Sequence, residues 1–217
     1  MRFFSYYLVA AVAVLGGFFL GMRYQMLSDN VEEVRYLVRL HENRIQRLNE
    51  ENAQLKETVD KLGTVVKLRK LLQDRRIRLT RGSVEDLAES IHLASQRYGL
   101  KPEMILAVIQ TESSFIPDAI SKKGAIGLMQ LLPSTAREVA DELNIEWTGT
   151  HLLKDPHTNI EFGAYYLSKL LQRFGDVDLA LSAYNSGPNR VARFEDRETI
   201  PAEEYTELVL HTMETLF

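Results

Sequence analysis

The carboxylate that ends an apolar run, Glu112, is the first residue here able to do chemistry. Ile105, Val108 and Glu112 stand at i, i+3 and i+7, so a helix starting at Pro102 puts the acid on its core-facing stripe. A carboxyl group among Ile105, Val108, Phe115 and Leu128 would be desolvated, which disfavours its charged form and raises its pKa. A general acid working near neutral pH needs that shift. The plainer alternative is a helix-end carboxylate that faces solvent or caps the next loop. Gly124 and Gly127 follow, and would let the loop pass close to a ligand. Ser121 and Gln130 offer neutral hydrogen bonds suited to sugar hydroxyls and amides. Tyr184 and Asn185 precede a helix-breaking Gly187-Pro188, a good place to present polar groups to a cleft. There is no HExxH, CxxC or phosphate loop, so no metal or cofactor is expected.

The elements that must position these residues read as helices. Ser83 with Asp86 forms a capping-box pattern, Val84, Leu87, Ile91, Ala94 and Tyr98 follow at helical spacing, and Gly99 stops the run. Further helices are predicted from Pro102 to about Glu112, from near Ser134, from Pro156 to Gly175, and from about Asp176 to Gly187. A short helical turn follows, then a last helix from Pro201. Residues 144–155 read as loop. No alternating apolar run is long enough for a sheet, although "IRLT" or the "GLMQ" region could form a short extended piece. Some 135 residues of short helices can bury one core.

The N-terminal part differs in kind. Residues 1–82 carry 15 Lys/Arg against 9 Asp/Glu, whereas residues 83–217 carry 11 against 21. The acidic C-terminal part is a poor partner for nucleic acid. The absence of cysteine excludes disulfides, thiolate chemistry and a lipoprotein anchor. Residues 3–22 are uncharged and long enough, at helical rise, to cross a bilayer. We therefore expect a membrane anchor over residues 1–23, with a signal peptide cleaved at Ala11-Val12-Ala13 as the alternative. Ala13, Gly17 and Gly21 recur as small-xxx-small. Residues 31–66 read as five heptads. Val31, Val38, Ile45, Asn52, Val59 and Val66 take the a positions, and Val34, His41, Leu48, Leu55 and Leu62 take d. β-Branched residues at a with Leu at d favour a parallel homodimer, in which Asn52 would fix the register and Glu51 could reach Lys56 of the other copy. The competing arrangement is one long helix folding back on the domain. We take residues 29–75 as the coiled coil and basic linker helix and place the domain boundary at Gly82-Ser83. The basic stretch 67–82 reads as a solvated helix end and linker, or as a contact for anionic lipid or envelope polymer.

Three ordered motifs then carry a resemblance. Glu112-Ser113-x-Phe115-x-Pro117-x-Ala119-x-Ser121 leads into Gly124-Ala125-x-Gly127-Leu128-Met129-Gln130-x-x-Pro133-x-Thr135-Ala136. Asp155-Pro156-x-x-Asn159-Ile160-x-x-Gly163-x-x-Tyr166-Leu167 follows, and then Ala183-Tyr184-Asn185-x-Gly187-Pro188-x-x-Val191. Together they resemble the soluble-type lytic transglycosylase (SLT) domain, related to goose-type lysozyme. The resemblance implies a mainly α, lysozyme-like domain within residues 83–217; it says nothing about residues 1–82, where the apolar run and the heptads lead us to expect a transmembrane helix and a coiled-coil helix. It implies cleavage of peptidoglycan between N-acetylmuramic acid and N-acetylglucosamine, with 1,6-anhydro ends, in the periplasm of a bacterium. Glu112 takes the place of the catalytic glutamate, while Ser121, Met129, Gln130, Tyr184 and Asn185 fall on cleft-lining positions. After Pro201 the family often reads Glu-Thr-Arg-x-Tyr-Val. Here only Glu203 keeps its place, which leaves the C-terminal wall of the cleft undefined. A lysozyme-like hydrolase, with Asp118 as the nearest second carboxylate, and a silent glycan-binding scaffold are the alternatives.

Overall fold

The computed structural model describes residues 2–74, 83–193 and 203–215, with side chains described from residue 13 onward. The basic residues Arg75, Arg76, Arg78 and Arg81, the "IRLT" stretch, the Gly82 boundary and the Pro201 helix start lie outside the described residues. So do the side chains of residues 3–12. Of the apolar run 3–22, then, only residues 13–22 have described side chains. Among the described residues no helix is long and apolar enough to cross a membrane.

Among the described residues eight α-helices follow one another, with one 3-10 turn at Thr150–Lys154. They are α1 (Arg2–Asp74), α2 (Val84–Tyr98), α3 (Pro102–Ser113), α4 (Pro133–Glu142), α5 (Pro156–Phe174), α6 (Val177–Ser186), α7 (Pro188–Val191) and α8 (Glu203–Thr215). Their ends follow local chemistry. The Asp86 N–H donates to Ser83 Oγ at 3.0 Å and the Ser83 N–H to the Asp86 carboxylate at 3.2 Å, closing the predicted capping box. Asp155 and Asp176 cap α5 and α6 in the same way. Gly99 and Gly175 end α2 and α5 in left-handed backbone. The extended piece reduces to isolated bridges from Ile126 to Ile120 and to Leu131, which pinch the loop ahead of α4.

The chain divides into two compact units, Met1–Glu57 and Thr58–Phe217. The first is helix throughout from Arg2. On it Val31, Val34, Val38, Ile45, Leu48 and Leu55 are all exposed. In the second unit the main core joins α2, α3, α5, α6 and α8 through Ile91, Ile105, Ile109, Ile160, Leu181 and Val209. It also takes in Leu68, Leu71 and Leu72 from the end of α1, a stretch the sequence assigns to coiled coil and linker. Two faces of that helix end do different work. The heptad positions Val59, Leu62 and Val66 are exposed, Val66 to 65%, while Thr64 and Leu68 are buried, Leu68 completely. Lys67 pairs with Glu103, Arg69 with Glu85 and Lys61 with Glu89. Two of the basic stretch's three described cations, Lys67 and Arg69, are thereby paired with acids of α3 and α2.

Candidate active site

The site is assembled where three motifs meet. Asn159 on α5 is fully buried and makes three hydrogen bonds across the chain. Its Oδ1 accepts from the Met129 N–H at 2.7 Å, and its Nδ2 donates to the carbonyls of Ile126 at 3.0 Å and Leu153 at 2.9 Å. Gly127 (φ 87°) packs so tightly here that a Cβ would lie 2.1 Å from Asn159 Nδ2 and 2.3 Å from the Leu153 carbonyl. The glycine expected to make room for a ligand therefore makes room for Asn159. A Cβ on Gly163 would meet Met129 Sδ at 2.5 Å, so one turn of α5 bears directly on the 127–130 loop. Gln130 then turns through left-handed backbone (φ 48°), and its amide donates to the carbonyls of Gly127 at 2.7 Å and Ala119 at 3.1 Å. Ser121 Oγ accepts the Ala125 N–H at 3.0 Å, which leaves its hydroxyl proton for a ligand.

These loops wall a cavity of about 430 Å³, lined by Glu112, Ser121, Gln130, Tyr184 and Asn185 together with Lys123, Thr135 and Tyr166. Five of the six residues singled out in the sequence are thus brought to one place. The sixth, Met129, does not line it. Its side chain is fully buried against Gly163, and its carbonyl accepts a 2.8 Å hydrogen bond from the Tyr184 hydroxyl. The Tyr184 ring packs against all three apolar clusters of the unit and against the Tyr166 ring, with centroids 5.6 Å apart. Its side chain is therefore a keystone between clusters as much as a wall of the cleft. Asp118 is exposed and absent from the lining.

Glu112 sits in the last turn of α3, largely withdrawn from solvent. Burial pushes its carboxyl from the ordinary 4.5 up to about 7, and the nearby Tyr205 hydroxyl opposes part of that rise. Tyr205 makes no hydrogen bond of ordinary geometry among the described residues, so its influence is one of proximity. Burial first, and the Glu112 charge second, raise the phenols of Tyr184 and Tyr205 well above their ordinary value. Both are therefore neutral wherever Glu112 titrates. Sequence reasoning did not single out Tyr205. It begins α8 where the sequence departs from the expected Glu-Thr-Arg-x-Tyr-Val, and only the packing of α8 on α3 brings it to the acid.

Glu112, its carboxyl pushed up to about 7, thus shares one cleft with the hydroxyls and amides of Ser121, Tyr184, Gln130 and Asn185 and with the Lys123 ammonium. The Transglycosylase SLT domain family matches residues 89–205. The chain belongs to that family. It is 43% identical over 102 residues to a transglycosylase of Enterobacteria phage PRD1, covering 47% of this chain and 35% of that protein. It is 41% identical over 120 residues to a membrane-bound lytic murein transglycosylase C of Haemophilus influenzae (strain PittEE), covering 50% and 33%. Among solved structures, an inactive mutant of lytic transglycosylase Slt from Pseudomonas aeruginosa superposes with a TM-score of 0.55 at 35% identity, over 59% of this chain and 23% of that one. The chain spans about a third of the length of these relatives. Glu112, the 121–130 loop, Asn159 and Tyr184 all fall inside the matched stretch of the SLT domain.

Proposed function

We propose that the chain is a peptidoglycan lytic transglycosylase that cuts the β-1,4 bond between N-acetylmuramic acid and N-acetylglucosamine. The observation that carries this is Glu112 itself. Among the described residues lining the cleft it is the single carboxylate, and it holds its proton near neutral pH. Glycoside hydrolysis ordinarily uses two carboxylates, one to protonate the leaving oxygen and one to act as nucleophile or to activate water. With one, the nucleophile has to belong to the substrate. Glu112 protonates the glycosidic oxygen, and the muramic N-acetyl carbonyl supports the developing cation. The carboxylate so formed takes the proton of the sugar's own 6-hydroxyl, and the oxygen closes on C1 as a 1,6-anhydro ring. The closure is intramolecular and gains from proximity, and the acid is regenerated in the same turnover. Ser121, Gln130, Tyr184 and Asn185 hold the sugar, and Met129 contributes through its backbone. Digestion of purified sacculi with the full chain, followed by mass spectrometry, tests this. Anhydro ends are expected. Reducing ends would select a lysozyme-like hydrolase, and no release a glycan-binding scaffold.

The N-terminal part fits an envelope enzyme. Residues 3–22 would anchor the chain in the inner membrane as a single pass, with the SLT domain in the periplasm where its substrate lies. The heptads of residues 31–66 would pair two copies in parallel. Support comes from the exposure of Val31, Val38, Ile45, Leu48 and Leu55, and from Val59, Leu62 and Val66 staying open where the helix end packs on the core. Sedimentation of residues 29–217 is expected to give a dimer. A clean monomer at micromolar concentration would remove the pairing, and Asn52→Val should tighten association while loosening the choice of oligomer.

A further inference from the structure

Helix α3 stops one residue after Glu112, and the stop is strained. Ser114 and Phe115 both adopt left-handed backbone, with φ of 49° and 62°. Non-glycine residues avoid that region, bulky aromatic ones above all. Two in succession persist only where the surroundings over-determine them. The surroundings are on hand. Phe115 is fully buried in the main core. The Ser114 N–H donates to the Gln110 carbonyl and the Ile116 N–H to the Ser113 carbonyl, each at 3.1 Å. The Ser114 side chain adds little, since it is exposed and reaches the Gln110 carbonyl only at 3.5 Å.

The stop has two effects on the acid. It keeps Glu112 in the last turn, at the negative end of the helix dipole, which opposes a carboxylate. It also reverses the chain at once, so that the Ala119 carbonyl can receive the Gly127 N–H and the Gln130 amide and bring that loop over Glu112. A helix continued through Phe115 would do neither. We propose that Ser114 and Phe115 are positioning residues, whose paired left-handed turn fixes Glu112 at the end of α3 facing the cleft. This rests on Glu112 being the general acid. The other groups that face it are Tyr205 from α8, Tyr184 from α6, and Lys123 from the loop lining the same cleft.

The exposed position allows a test that spares the core. Ser114→Val puts a β-branched residue where left-handed backbone is most costly, whereas Ser114→Gly removes the cost. A second cavity, of about 290 Å³, lies beside Phe115 and gives a relaxed turn room to move. Both variants of the full chain are expected to fold. In Ser114→Val the Glu112 carboxyl, followed by 13C NMR, should titrate at least about one unit below the parent's value of about 7. Its kcat should fall about tenfold or more through misplacement of the acid, with KM little changed. Ser114→Gly should titrate like the parent and melt higher. Phe115→Ala, if folded, should shift further than Ser114→Val. A folded Ser114→Val chain with the parent's titration and kcat overturns the proposal. A parent that releases no anhydro ends removes the proposed reaction, but the titration still decides whether the turn holds the acid.

Discussion

Glu112→Gln is expected to abolish the proposed release of anhydro-muropeptides and, above neutral pH, to make the protein more stable. The amide keeps the shape and one hydrogen bond but has no proton to give. Loss of a general acid alone costs ~10²–10⁴-fold in rate, and more is expected here because the same group is both acid and base. Glycan binding should persist, through Ser121, Gln130, Tyr184 and Asn185. The stability change follows from the raised carboxyl. Between about 4.5 and 7 the folded parent binds a proton that the unfolded chain releases, so its stability falls as pH rises through that window. Above it the parent carries the full cost of a desolvated carboxylate, on the order of 3 kcal/mol at most, which the amide does not carry. Melting curves of the two proteins should coincide near pH 4 and separate by pH 8, with the variant higher. Release near the parent's rate would show that another residue is the catalyst.

Asn159→Ala should be the most damaging substitution away from the acid. It leaves the Met129 N–H and the carbonyls of Ile126 and Leu153 without their partner in a buried place. Each such group costs about 1–3 kcal/mol, so a total loss of about 3–9 kcal/mol is expected, a large part of a domain's stability. Asn159→Asp retains an acceptor for Met129 but no donors, and buries a charge, so it should not rescue. Denaturant unfolding reads the loss directly. Activity should fall before global unfolding, because the 127–130 loop that Asn159 braces carries one wall of the cleft. An alanine variant within about 1 kcal/mol of the parent would mean that internal water replaces the amide at that junction.

How far these features were legible depended on what kind of fact each one is. Glu112, Ser121, Gln130, Tyr184 and Asn185 could be found because three motifs, each short and local, converge on one cleft. The helix starts at Pro102 and Pro156 and the cap at Ser83 were legible because capping is settled within four residues. Met129 was visible as a residue but not as a backbone contributor, since a motif does not say which atoms of its members face the ligand. Gly127 was visible as a demand for space, but its neighbour Asn159 stands 32 residues away, and no spacing rule pairs them. Tyr205 was hidden because α8 is placed by packing alone. The buried end of α1 was hidden for another reason. The heptad stripe is one face of the helix, and Leu68, Leu71 and Leu72, at i, i+3 and i+4, lie on a second, shorter apolar face that a heptad reading passes over.

That buried helix end changes what counts as a module in this protein. A recombination event or a synthetic fusion that joined the SLT domain at Ser83 would carry the cleft but leave behind Leu68, Leu71 and Leu72. The acceptor surface on the main core would be stripped of its cover, and Glu85 and Glu103 of their cations. The transferable cassette begins nearer Thr58, inside the heptads, where the compact unit itself begins. A sequence that supplies the stalk must therefore supply part of the enzyme's interior. Drift in residues 58–74 is therefore constrained by the core that holds Leu68, Leu71 and Leu72.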